Sequence, residues 1–155
     1  MEKELTELIA QRISTLEEDK RLLEETKEAF IDTLDQQRDK FLELFNKIKP
    51  ILLQVIETKG SFYNSELDLN SPHGPVIAAT NQEMYVFDVR SRTVKKYRIF
   101  DYEEISSYIN LSSFFEHFSF KIAYASLVEQ IDYHQNFVER INKKIDQARQ
   151  ELESI

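Results

Sequence analysis

The chain has 155 residues, of which 41% are apolar and 12% aromatic, so it is too rich in core-forming side chains to be disordered and is sized for one domain with an extended appendage. The absence of cysteine and the presence of only two glycines, Gly60 and Gly74, exclude disulfides, thiolate metal ligands, a cysteine nucleophile and every glycine-rich phosphate cradle. Twenty basic against 28 acidic side chains give a net charge of −8, and neither end carries the basic stripe of a nucleic-acid binder.

The first element is a long helix. Residues 1–49 contain no Gly or Pro and are dominated by Glu, Lys, Leu, Gln and Arg, which are good helix formers. Two seams run through them at alternating spacings of three and four. One is Ile9, Leu16, Leu23, Phe30, Gln37, Leu44 and Ile51; the other is Ile13, Lys20, Lys27, Leu34, Phe41, Ile48 and Val55. This is coiled-coil patterning, with Lys20, Lys27 and Gln37 as polar interruptions that fix register or partner number. A helix over 2–49 is roughly 70 Å long at 1.5 Å per residue. Pro50 opens a short helix over 50–58 or kinks the first, and Gly60 stops it. The start, MEKELTELIA, is acidic and amphipathic, unlike a secretory signal, and no run of about 18 apolar residues occurs. A cytoplasmic location is expected.

The period then changes to two. Residues 76–80, 84–89 and 93–100 are β-branched and aromatic and read as antiparallel strands, with Arg90-Ser91-Arg92 as a hairpin turn. Pro72-His73-Gly74-Pro75 is a rigid lead-in. Residues 61–69 admit a further strand, 102–109 a short helix or strand, and 111–120 carry four phenylalanines spaced as on a strand or in an aromatic cluster.

The last element is a second helix, from about residue 121 to the end. Leu127, Ile131, His134, Val138, Ile141, Ile145, Ala148, Leu152 and Ile155 alternate by four and three, and Phe120 and Tyr124 extend the pattern backward. A long amphipathic helix needs a partner for its seam. The economical one is the first helix, antiparallel and longer, so that Leu5, Ile9, Ile13, Leu16 and Leu23 are left over. The fold class is therefore α+β: a long antiparallel helical hairpin, or coiled coil (1–58 and 121–155), with a small antiparallel β domain (59–120) inserted.

The run Val76-Ile-Ala-Ala-Thr-Asn-Gln-Glu-Met-Tyr-Val-Phe-Asp88 resembles the core strands of bacterial pleckstrin-homology-like domains, and Arg98-Ile-Phe-Asp-Tyr-Glu-Glu-Ile-Ser-Ser107 is similar to the step that follows them. The resemblance spans 60–125 and implies a partly open barrel used for binding without catalysis. The order helix, β-hairpins, helix resembles a prefoldin subunit in architecture alone.

Five cations, Arg90, Arg92, Lys95, Lys96 and Arg98, fall within nine residues of this acidic chain. On a strand Lys96 and Arg98 share a face with Arg92, and Lys95 lies opposite. They are the candidate partner-binding set, suited to an acidic protein surface; the bland reading is a charged edge that blocks strand pairing. The oligomerisation set is Leu5, Ile9, Ile13, Leu16, Leu23, Ile131, Val138, Ile141 and Ile145. His73, His117 and His134 lack metal-ligand spacing and accompany no nucleophile. Glu17-Glu18-Asp19 and Glu24-Glu25 read as a solvated helix face. Phe114, Phe115, Phe118 and Phe120, with Tyr102, Tyr108 and Tyr124, read as the bulk of the small β core. The expected function is a non-enzymatic protein–protein interaction or adaptor protein, a homo-oligomer with a protein partner, without cofactor, metal or small-molecule substrate. Nucleic-acid and membrane partners are disfavoured by charge. The alternatives are an inhibitor of a host or defence protein from a phage or mobile element, and a prefoldin-like holdase chaperone.

Overall fold

In the computed structural model, which describes residues 1–106 and 109–155, the heptad-patterned N-terminal segment forms α1 (Glu2–Ser14) and α2 (Leu16–Glu57). The break falls at two hydroxyl residues. Ser14 and Thr15 turn back to donate to the carbonyls of Gln11 (2.7 Å) and Arg12 (3.2 Å), competing with the backbone bonds that would continue the helix. Pro50 neither starts nor stops a helix but sits inside α2. Proline in a helix interior costs about 3 kcal/mol, because the carbonyl four residues back loses its donor. Burial of Ile48 and Leu52 on either side offsets that cost and carries the helix through.

Two antiparallel sheets follow. Strands β1 (Phe62–Asn64) and β2 (Leu69–Ser71) form a two-stranded hairpin. Strands β3 (Val76–Ala79), β4 (Glu83–Asp88), β5 (Thr93–Arg98) and β6 (Glu104–Ser106) form a four-stranded meander in sequence order. The expected 61–69 strand is thus split into a hairpin, and the 102–109 segment supplies β6, with 107–108, including Tyr108 of the aromatic set, outside the described residues. The phenylalanine-rich segment is helical instead of extended. Asn110 accepts from the amides of Ser112 and Ser113 and caps α3 (Leu111–His117); Ser119 accepts from Ile122 N and caps α4 (Phe120–Glu153). These two caps set Phe114 and Phe115 on helical spacing against Tyr85 and α2, and Phe118, the extended residue between the two helices, also packs on Tyr85.

The core lies where α2 crosses the meander. Phe41 and Phe45 meet Phe87 of β4 edge-on, at ring centroids of 5.1 and 4.8 Å, and all three are fully buried. Ile77, Tyr85 and Val94 complete the helix-facing side of the sheet. The opposite side holds Val76, Met84, Val86 and Tyr97, covered by Leu67 and Leu69 of the β1–β2 hairpin. A bulge between Val76 and Ala78 breaks the β3–β4 ladder there, and the side chains of Asn64 and Ser126 both donate to Val76 O at 2.7 Å. Gly74 lies on backbone: a Cβ placed there would sit 1.9 Å from Phe87 O.

The fold is α+β, long helices with a small antiparallel β region between them, as the sequence indicates. The two long helices meet differently from a full-length antiparallel hairpin. Lys40 Nζ lies 5.7 Å over the Tyr124 ring, and further along, the C-terminal end of α2 meets His134 at Gly60, whose amide is bonded to Val55 O. Contacts therefore advance in the same sense along both helices. The reason is the sheet: Gln130 Nε2 bonds Tyr63 O at 2.7 Å and Glu129 accepts from Ser65 N and Oγ, which ties α4 along β1.

Two substitutions test this core. Phe87→Ala removes a fully buried ring and is expected to cost about 3–5 kcal/mol of unfolding free energy in urea titration. Gly74→Ala is expected to cost at least about 2 kcal/mol in the same assay, because backbone must move to admit the methyl group.

Candidate functional site

Two surfaces come from the sequence-defined residues. The first is a pair of helical arms. α1 has no buried residue, the buried residues of α2 begin at Leu34, and those of α4 are confined to Ala123–Gln130. The N-terminal arm (2–33) and the C-terminal arm (135–153) thus stand clear of the core. All nine oligomerisation residues are exposed, Ile13 at 62% and Ile141, the least, at 37%. Their spacing keeps them on one stripe per arm. Leu34, Phe41, Ile48 and Val55 of the second seam are buried, so α2 spends its packed half on the core and leaves its first half as free seam. On α4, docking takes the start of the seam, Leu127 with His134 at Gly60, and widens it with Ala123, Ser126 and Gln130. Ala123, Ser126, Leu127 and Gln130 face the sheet, while Ile131, Val138, Ile141 and Ile145 face outward. The polar members Ser126 and Gln130 lie outside any apolar periodicity; their signal is the i, i+4 pair of hydrogen-bonding side chains beside a small residue, Ala123.

The second surface is the basic hairpin, and its charges are dispersed. Lys96 and Arg98 do lie on the face opposite Lys95, as the register with Tyr85, Glu83 and Val86 requires. Arg92 is off the strand, in the turn, with φ 58°. Lys95 bridges Asp88 (3.6 Å) and Glu104 (3.7 Å), Lys96 pairs with Glu83 (2.6 Å), and Arg98 pairs with Glu103 and with Asp101 (3.5 Å). Three of the five cations are thereby matched by carboxylates of β4, β6 and the turn after β5. Arg92 lies over the Phe45 ring at 5.8 Å. Among the described residues Arg90 and Arg92 form no ion pair, and they mark the exposed tip. Asp88 holds that tip together: its Oδ1 accepts from the amides of Arg90 (3.0 Å) and Ser91 (2.8 Å). Burial alone would raise the Asp88 carboxyl, but the bonds from Ser91 and Arg90 and the charge of Lys95 outweigh it and hold the group below its ordinary value.

A third feature was not legible in the sequence. A cavity of about 370 Å³ opens between β2 and the outer face of the meander, lined by Asn70, Ser71, Pro72, His73, Met84, Tyr97 and Tyr102. The His73 ring stacks on Tyr97 at 5.5 Å with an interplanar angle of 9°. Burial, then Glu104 and Asp88, push the Tyr97 phenol up to about 12, so it stays neutral and able to donate at physiological pH.

No family model, curated protein or solved structure matches this chain. Among the described residues no helix is long and apolar enough to cross a membrane, and no cluster of three or more His, Asp or Glu is arranged to hold a metal ion.

Asp88 generates a pH test. Its folded-state value is lowered, so its contribution is present above the unfolded value of about 3.9 and is lost as pH falls below it. Thermal melts from pH 5 to about pH 3 are expected to show a steeper fall for the wild type than for Asp88→Asn, which keeps the turn-capping oxygen but carries no charge.

Proposed function

We propose that this is a non-enzymatic protein-interaction protein, acting in the cytoplasm, which assembles through its helical arms and presents the hairpin tip to a protein partner. The observation that carries the reading is the exposure of nine large apolar side chains at three–four spacing on the two arms. Contiguous apolar stripes of this kind on a folded protein mark interaction surfaces. Long helices with such stripes draw most of their stability from packing, which these arms do not receive from their own core. The tip supports the second half of the reading. Arg90 and Arg92 are exposed cations on an otherwise acidic chain, held by a capped turn, and suit a carboxylate-bearing partner.

A holdase chaperone is the second reading, favoured by the same exposed stripes, which would shield the apolar segments of an unfolded client. It is distinguished by suppression of client aggregation in a light-scattering assay, with protection lost when the stripes are made polar.

The double substitution Ile13→Asp/Leu16→Asp is expected to reduce the assembled mass measured by light scattering to that of the single chain, with the core melting temperature shifted by less than about 2 °C. In parallel, a tagged Arg90→Glu/Arg92→Glu chain is expected to lose the stoichiometric partner that the wild type retains from native lysate. Retention of that partner would move recognition away from the tip.

A further inference from the structure

The two arms fit each other, although one chain cannot bring them together. Because contacts advance in the same sense along α2 and α4, the N-terminal arm enters the core at one end and the C-terminal arm leaves from the other. Two seams of matching length result, residues 9–30 of the N-terminal arm and 131–152, which starts at the docked end of α4 and runs along the C-terminal arm, about 33 Å each at 1.5 Å per residue.

Set antiparallel, the two seams mesh in one register. Ile9 falls opposite Leu152, Leu16 opposite Ile145, Leu23 opposite Val138 and Phe30 opposite Ile131. The flanking positions agree with the same register. Asp19 falls opposite Lys144, Arg12 opposite Glu151, and the exposed Ile31 opposite the exposed Val128. No flanking pair in this register sets like charges against each other. Lys20 falls opposite Ile141, where its stem covers apolar surface while the ammonium group reaches solvent, and Lys27 falls opposite His134, which packs at Gly60 of its own chain.

Charge argues against the competing arrangement. The N-terminal arm, residues 2–33, holds ten acids and five bases, whereas the segment 140–149 of the other arm holds four bases and one acid. Two N-terminal arms paired in parallel would set Lys20 against Lys20, Lys27 against Lys27 and Asp19 against Glu24.

We propose that the occupant of each arm is the opposite arm of a second copy of this chain, in a two-fold dimer where the N-terminal arm of each copy lies antiparallel on the C-terminal arm of the other. The proposal rests on the reading of the arms as assembly elements and adds the partner, the direction and the register. Two-fold symmetry satisfies both arms of both copies at once, so the assembly closes at two chains and does not grow into a filament.

Charge reversal and cross-linking test it together. Arg12→Glu/Asp19→Lys sets like charges across both seams and is expected to weaken the dimer at least roughly tenfold by analytical ultracentrifugation. Adding Lys144→Asp/Glu151→Lys to the same chain is expected to restore it. Since the chain has no cysteine, Leu16→Cys in one tagged copy and Ile145→Cys in a differently tagged copy are expected to give a mixed disulfide dimer on oxidation. A wild type that associates while the reversal has no effect and Leu16→Cys cross-links to itself would overturn this register and leave arm-mediated assembly standing. A wild type that stays monomeric at all concentrations would overturn both.

Discussion

The structure depends on one aromatic junction. Phe41 and Phe45, one turn apart on α2, close edge-on against Phe87 at the centre of the meander. Phe115 joins the same cluster from α3, at 5.8 Å from Phe41, and Phe120 joins it from the start of α4, at 5.3 Å from Phe115. Every element that packs on the sheet's inner side is thus referred to a single ring. Edge-to-face pairs contribute about 0.5–1.5 kcal/mol beyond the area they bury, and they also fix the angle at which a helix crosses a sheet. That angle decides where the two ends of α2 point, and so where the N-terminal arm emerges.

The second constraint is polar. The bulge at Val76 frees a carbonyl from the ladder, and an unpartnered buried carbonyl is costly. Asn64 from β1 and Ser126 from α4 satisfy it together. That shared acceptor locks hairpin, meander and C-terminal helix into one arrangement. It also explains why a helix with a long apolar seam presents a mixed stripe of Ala123, Ser126, Leu127 and Gln130 to the sheet. Docking geometry is set by these hydrogen bonds together with buried Leu127, and the apolar seam beyond His134 is left free.

Much of this was legible in the sequence because it is local. The three–four spacing located both long helices, and Leu34, Phe41, Ile48 and Val55 of the second seam are the residues α2 buries. Phe45 and Leu52 escaped because α2 is covered by the sheet on one flank and by α3 and α4 on another, which widens the buried face beyond one seam. The period-two strands were found for the same local reason. What required the fold was whatever depends on register or direction. Lys95, Lys96 and Arg98 read as a single basic patch along the chain, yet their carboxylate partners come from β4, β6 and the following turn. The helix at 111–117 was hidden by its phenylalanines, while its Asn110 cap was the available signal. The aromatic cavity beside Tyr97 gathers residues from 70 to 102 and has no sequence signature.

The division between a packed middle and bare arms has a dynamic consequence. Amide protons of the buried stretches of α2 and α4, Leu34–Val55 and Ala123–Gln130, are shielded by the shared core and escape by its cooperative opening, whereas those before Thr15 are held by helical bonds alone. The hydroxyl-lined break at Thr15 separates α1 from the rest, so fraying there need not propagate into α2. One polypeptide therefore carries two regimes of hydrogen exchange. Its slow regime is set by opening of the shared core, and its fast regime by fraying of exposed helices.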